Sequence, residues 1–153
     1  MLFSEPVHWD RLKIVHCGID LKKYGQDPDR SYGQRLLFVG RLDAVKGVPL
    51  LLDSVASLVD KYPDLELTVV GDGPARSTLE EKAQSLGAAV RFLGYQSQQQ
   101  VAEILCETDM LVLPSFAEGV PVVMMEAMAA RLTVVTTQVG GVRERVESGV
   151  FGT

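Results

Sequence analysis

Cysteine is scarce in this sequence, and its two cysteines, Cys17 and Cys106, belong to no CxxC pair. Two separated thiols are too few for a disulfide framework and lack the spacing of a zinc or redox site. Both read as reduced thiols, which makes a cytoplasmic location the expectation. Histidine is as sparse, with only His8 and His16, and no Asp or His cluster suggests a metal site. No apolar run approaches the roughly 18 residues of a membrane span. Met1 to Asp10 lacks the basic start and apolar core of a signal peptide. Positive charge is in deficit, with 15 Lys and Arg against 20 Asp and Glu and a net charge of −5. That balance argues against general nucleic-acid binding, which needs a basic surface to neutralise phosphates. A phosphate ligand would have to meet a local cluster of cations.

The sequence does have the means to build one core. Its 153 residues are 46% hydrophobic and 23% charged, an ordinary globular composition, and a chain of this size buries roughly 70% of its unfolded surface. Residues 1–33 carry Pro6, Gly18, Gly25, Pro28 and Gly33 with one short apolar stretch, Lys13 to His16. They read as a connector from a missing amino-terminal domain, with at most one short strand. A partner domain is expected to cover Phe3, Trp9 and Tyr24 near this start.

From residue 34 the pattern becomes regular. Leu36 to Val39 is a short apolar run closed by Gly40, as in a strand buried on both faces. Gly47 to Tyr62 has apolar residues at helical spacing and is broken by Pro63. Leu65 to Val70 is a second strand, ended by Gly71-Asp72-Gly73-Pro74. A helix follows with Ala75, Leu79, Ala83 and Leu86 on one face, stopping at Gly87. Val90 to Leu93 is a third strand, and Ser97 to Glu107 is a short helix with Ser97 as N-cap. Met110 to Leu113, Pro121 to Ala130 and Leu132 to Thr136 add a strand, a helix and a strand. Strands alternating with helices through short turns imply βαβ units and a parallel sheet. Right-handed crossovers then predict a doubly wound α/β domain with five strands in the order 3-2-1-4-5 and helices on both faces. Residues 34–153 form this domain, expected to be cut at its carboxyl end.

In such a sheet the ligand lies beyond the carboxyl ends of the strands, where the winding direction reverses. Here that point falls between the first and fourth strands, where the loops Gly40 to Gly47 and Ser115 to Pro121 meet. The first loop offers Arg41, a planar fork of donors, and Lys46, a mobile point charge; together they suit a diphosphate. Two ordinary surface cations are the plainer alternative, with Asp43 as a partner for Lys46. From Gly119 to Ala130 the only charged residue is Glu126. Its helical neighbours Val122, Val123, Ala129 and Ala130 are small and apolar, so its carboxylate needs a partner. Two ribose hydroxyls would satisfy it; so would a structural role capping a neighbouring loop. Pro121 suits a first helical position, and Glu126 lies five residues beyond it, roughly 7–8 Å along the axis. That resembles the span from sugar to ribose in a nucleotide-sugar.

These residues also carry a family resemblance. Arg41 with Lys46-Gly47, Gly71-Asp72-Gly73-Pro74, Phe92-Leu93-Gly94, and Glu118-Gly119-Val120-Pro121 through Glu126-Ala127-Met128-Ala129 resemble the carboxyl-terminal, Rossmann-like domain of family 4 retaining glycosyltransferases of the GT-B fold. Gly18-Ile19-Asp20 and Gly140-Gly141 with Glu144 match as well. The resemblance implies that Arg41 and Lys46 bind a donor diphosphate beside Gly40, Glu118 the sugar hydroxyls and Glu126 the ribose. It further implies that backbone N–H groups of Gly119, Val120 and Val122 serve sugar or phosphate, and that Gly94 and Tyr95 lie near the base. An ordinary exposed aromatic is the alternative for Tyr95. Four positions depart from the family pattern: Cys17 replaces Asn, Arg131 and Thr133 replace Gly and Pro after the fourth helix, and Arg143 replaces Pro.

The expected activity is transfer of a hexosyl unit from a UDP- or GDP-linked sugar to an acceptor hydroxyl with retention, without a cofactor or metal. The acceptor would be held by the missing amino-terminal domain, which is also the route for any peripheral membrane association. A dinucleotide-binding dehydrogenase would need G-x-G-x-x-G after the first strand; Gly40-Arg41-Leu42-Asp43 does not supply it. A GT-B nucleotide-sugar epimerase, a sugar phosphorylase and a non-catalytic nucleotide-binding module remain alternatives.

Overall fold

The computed structural model describes residues 18–25, 33–119 and 121–139. Five strands form one parallel sheet: β1 (Arg35–Val39), β2 (Glu66–Val70), β3 (Val90–Gly94), β4 (Met110–Leu113) and β5 (Thr133–Thr136). Their order is β3-β2-β1-β4-β5, as the alternation of elements predicts. β1 lies at the centre, with Phe38 opposite Val69 of β2 and Leu36 opposite Met110 of β4. Leu37 and Phe38 are wholly buried, because a central parallel strand is covered on both faces.

The helices are α1 (Val48–Ala56), α2 (Arg76–Ala83), α3 (Gln98–Glu107) and α4 (Val122–Ala129). α1 packs against α2, and α3 against α4. Right-handed connections place the first pair on one face and the second on the other, because the winding reverses after β3. Val48, Leu51, Leu52 and Val55 of α1 and Val101, Ala102 and Leu105 of α3 bury the faces that their spacing predicts. Each large side chain so buried contributes roughly 1.5–3 kcal/mol.

Several helix ends differ from expectation. α1 stops at Ala56 rather than running to Tyr62, and the chain continues in turns whose bonds include Leu58 N–H to Val55 O at 2.9 Å. Exposed Ser57, Asp60 and Lys61 have no core face to extend the regular ladder. Ser97 does cap α3: its Oγ accepts from Gln100 N–H, and Gln100 Oε1 accepts from Ser97 N–H, a reciprocal capping box. α4 begins at Val122, so Pro121 is the cap rather than the first helical residue. α4 closes with Arg131 N–H donating to Met128 O and Leu132 N–H to Ala127 O, the paired bonds of a Schellman end. Arg131 there takes φ +56°, the left-handed conformation that glycine adopts most readily.

The loops beyond the strands are laced together. Gly40 N–H donates to Val70 O at 3.0 Å, Leu42 N–H to Asp72 O at 2.9 Å, and Gly71 N–H to Gly94 O at 2.8 Å. Gly71 has φ +127°, and a Cβ there would overlap the Gly40 carbonyl. The Gly71-Asp72-Gly73 turn can lie this close to the first loop only because it lacks that atom. At the other end of the sheet, Asp109 is buried and bonded by Arg35 from Nε at 2.8 Å, from the second guanidinium nitrogen at 2.9 Å, and from the backbone N–H at 3.0 Å. No helix among the described residues is long and apolar enough to cross a membrane.

Candidate functional site

The loop after β1 folds into a 3-10 turn, Ala44–Lys46, capped by Asp43: the N–H of its second residue, Val45, donates to Asp43 Oδ1 at 3.1 Å. Gly47 follows in the left-handed region at φ +67° and is the N-cap of α1. A Cβ on Gly47 would overlap the Pro114 carbonyl oxygen at the end of β4, so a residue with no side chain lets these two loops touch. Phe116 N–H donates to Val45 O at 2.7 Å and seals the contact. The first and fourth βα loops therefore meet at the switch point, as the topology requires.

Inside that junction Lys46 Nζ donates to Glu118 Oε1 at 2.6 Å. Ser115 Oγ donates to the same oxygen at 2.7 Å. Ser115 is buried, and its carbonyl accepts from the Thr137 hydroxyl in the loop after β5. Lys46 thus pairs with Glu118 rather than with Asp43, because the capping turn spends the Asp43 carboxylate on Val45 and turns Lys46 towards β4. Arg41 is separate, with a 72% exposed side chain and Nε 3.6 Å from Asp43 Oδ2. It borders a cavity of about 320 Å³ together with Gly40, Gly71, Asp72, Tyr95 and Gln96. Gly40, Arg41 and Tyr95 are thereby brought to one hollow, with Tyr95 80% exposed at its rim. Gly94 closes β3 beside it, at φ +69°.

Glu126 lies in α4 and is 5% exposed, which agrees with its apolar neighbours. Its partner comes from the connector: the Tyr24 hydroxyl donates to Glu126 Oε1 at 2.8 Å across 102 positions. Tyr24 is itself 5% exposed. Cover by a partner domain was expected for it, and the structure corrects this, because α4 supplies the cover. Burial first, and the bond to Glu126 second, push the Tyr24 phenol far above its ordinary value. Gly119 and Val122 are exposed on either side of Pro121 at the start of α4. Val120, Gly140, Gly141, Arg143, Glu144, Cys17 and the stretch Lys13 to His16 lie outside the described residues.

Ser115 and Thr137, and the bond of Tyr24 to Glu126, escaped the sequence reading. A serine three residues before Glu118 was a visible but weak cue. Tyr24 and Thr137 had none, since their partners are distant in sequence. Chemically, the junction combines an ammonium shared with a carboxylate and the start of a helix; the exposed Arg41 guanidinium borders the hollow with Gly40 and Tyr95, and a second carboxylate, within α4, is held by a phenol. Cations beside a helix start suit an anionic ligand, and carboxylates suit hydroxyls.

Comparison with known proteins supplies the context. A family model described as glycosyl transferases group 1 matches residues 33–153. The chain is 33% identical over 166 residues to a D-inositol 3-phosphate glycosyltransferase of Corynebacterium urealyticum, covering 95% of this chain and 39% of that protein. It is 41% identical over 120 residues to the putative teichuronic acid biosynthesis glycosyltransferase TuaC of Bacillus subtilis, covering 78% of this chain and 27% of that one. Among solved structures, Anabaena Alr3699/HepE in complex with UDP and glucose superposes with a TM-score of 0.79 at 25% identity, over 92% of this chain and 42% of that one. The C-terminal domain of LpcC, a group 1 family protein from Francisella tularensis, shares the fold with a TM-score of 0.73 at 22% identity, over 86% of this chain and 76% of that one.

Proposed function

The chain belongs to the glycosyl transferases group 1 family, and from that premise we propose that it is the donor-binding half of a retaining glycosyltransferase. The donor is a nucleoside-diphosphate sugar, UDP- or GDP-linked, the uridine form being favoured by the UDP held in Alr3699/HepE. The acceptor is a hydroxyl compound bound by a second domain, in keeping with a chain that spans 39% of the length of the Corynebacterium urealyticum relative. The chain by itself binds donor and transfers nothing.

One observation carries this reading: Lys46 and Glu118 converge at the switch point, with Arg41 and Tyr95 on the adjoining cavity. Arg41 and Lys46 take the diphosphate beside Gly40, Glu118 the hydroxyls of the sugar, and Glu126 the ribose. Gly94 and Tyr95 border the base, while N–H groups of Gly119, Val120 and Val122 serve sugar or phosphate. As the bond from the anomeric carbon to the phosphate oxygen breaks, negative charge grows on the diphosphate. The two cations are aimed at that charge, which lowers the barrier more than it tightens ground-state binding. The acceptor oxygen bonds to the anomeric carbon on the same face, and its proton passes to the leaving phosphate. The glycosyltransferase names of the relatives favour transfer over epimerisation or phosphorolysis.

The test is calorimetric titration of UDP, GDP, ADP, their sugar conjugates and NAD. The reading expects a nucleoside diphosphate and its sugar conjugate to bind, and Glu126→Gln to weaken both. Binding of NAD alone, or nucleotide affinities that Glu126→Gln leaves unchanged, would overturn it.

A further inference from the structure

Among the described residues, the connector meets the Glu126 carboxylate through the Tyr24 hydroxyl. Asp20 caps the 3-10 turn Leu21–Lys23 by accepting from Lys22 N–H at 3.2 Å, and Tyr24 closes that turn with its N–H on Leu21 O at 3.3 Å. The next carbonyl, Gly25 O, accepts from the Cys106 thiol of α3 at 3.6 Å. These anchors set the Tyr24 ring into the gap beside α4, where its hydroxyl reaches Glu126 Oε1. A glutamate carboxylate turns freely about its last torsion, where rotamer preferences are broad. A carboxylate accepts about four hydrogen bonds, so one phenol removes that freedom and leaves capacity for a vicinal diol.

From this geometry we infer that Tyr24 is a positioning residue for the ribose: it holds the Glu126 carboxylate in the orientation that receives the 2′- and 3′-hydroxyls. The inference rests on the ribose role of Glu126 and deepens it. Without the phenol, the buried Glu126 carboxylate would lose this hydrogen-bond partner, and re-orienting it when nucleotide binds would be charged against affinity. The raised Tyr24 phenol stays protonated, and so remains a donor, throughout the neutral range.

The test compares whichever of UDP, GDP and ADP binds best with its 2′-deoxy counterpart, by calorimetry on the wild-type chain, Tyr24→Phe and Glu126→Gln. Tyr24→Phe is expected to weaken the ribonucleotide about three- to tenfold, the loss for ordering one long side chain on binding. The deoxynucleotide should change much less, so the preference for ribose narrows. Equal weakening of both nucleotides would make Tyr24 merely structural, and no weakening of either would remove it from the site. Either result overturns the inference while Glu126→Gln still abolishes the preference. If Glu126→Gln leaves the preference intact, the ribose role itself is wrong. Should Tyr24→Phe fail to fold, the wild-type ring resonances report instead, Tyr24 being assigned by elimination with Phe variants of the other three tyrosines. The Tyr24 signal should then shift with the ribonucleotide and stay fixed with the deoxynucleotide; an identical response to both overturns the inference.

Discussion

Lys46 and Glu118, 72 positions apart, share a 2.6 Å ion pair with side chains only 22% and 11% exposed. The pair joins the cation assigned to the donor's diphosphate to the carboxylate assigned to its sugar. A sugar nucleotide would engage both partners, whereas a free diphosphate must draw Lys46 away from Glu118. Removing one member of a partly buried pair leaves the other charge uncompensated, so the two single variants should behave differently.

Glu118→Gln should therefore leave nucleoside diphosphate binding unchanged or tighter while weakening the sugar nucleotide, a divergence of about tenfold, or 1.4 kcal/mol. Lys46→Ala should weaken both ligands by about 1–3 kcal/mol, the scale of a charge-assisted hydrogen bond. Paired titrations of the two ligands against each variant check this. An equal loss of both ligands in Glu118→Gln would take Glu118 out of the sugar subsite.

Arg41 should show the opposite balance between stability and binding. Its side chain is 72% exposed and its distance to Asp43 is 3.6 Å, and exposed pairs contribute little. Arg41→Ala should shift folding stability by less than about 0.5 kcal/mol, yet weaken the diphosphate by about 1–3 kcal/mol. The free nucleoside should bind as before. Melting curves and calorimetry on the same preparations test it, and equal losses for nucleoside and diphosphate would discard the assignment.

Asp109 should govern part of the acid limb of stability. Burial alone would raise its carboxyl, but the side-chain and backbone bonds from Arg35, with the Gly33 N–H, outweigh burial and hold it at about 2. A carboxylate whose folded value lies below its unfolded value of about 3.9 stabilises the fold above the unfolded value. That contribution, about 2 kcal/mol, is lost as pH falls from about 4 through about 2. Urea melts at several pH values should show the drop in the wild-type chain and a flatter profile in Asp109→Asn. An unchanged slope in the variant would contradict the account.

Arg131 is the one non-glycine among the described residues at positive φ, a conformation that glycine adopts without a side-chain clash. Left-handed backbone costs a side-chain-bearing residue roughly 1–2 kcal/mol, and glycine's extra unfolded freedom returns about half of that. Arg131→Gly should thus stabilise the chain by roughly 0.5–1 kcal/mol, raising Tm by about 2 °C. Arg131→Ala should give no such gain, since it keeps the Cβ. Equal melting of the Gly and Ala variants would show that strain is not the cause.

The architecture was legible because its signals are local. Apolar runs marked the strands, 3.6-residue spacing marked the helices, and the handedness of crossovers turned that succession into the order 3-2-1-4-5. The switch-point rule then named the two loops that meet, and both carry the residues now found there. Helix limits were less legible. Whether α1 continues past Ala56 depends on where the sheet beneath it ends, which periodicity does not report.

What the sequence by itself determined, then, was which residue types stand at the carboxyl edge of the sheet, and that Glu126 must have a partner. Which partner each charge takes was decided only by the tertiary structure. Asp43 is three residues from Lys46, yet the capped turn and the side-chain-free Gly47 direct Lys46 to Glu118. Tyr24 lies 102 positions from Glu126, and no pattern along the chain links them. Hydrogen bonds and ion pairs act over a few ångströms of space, whereas spacing in sequence constrains neighbours only within a turn of helix or a strand pair. Contacts between loops at the end of a sheet arise from the packing of the whole core.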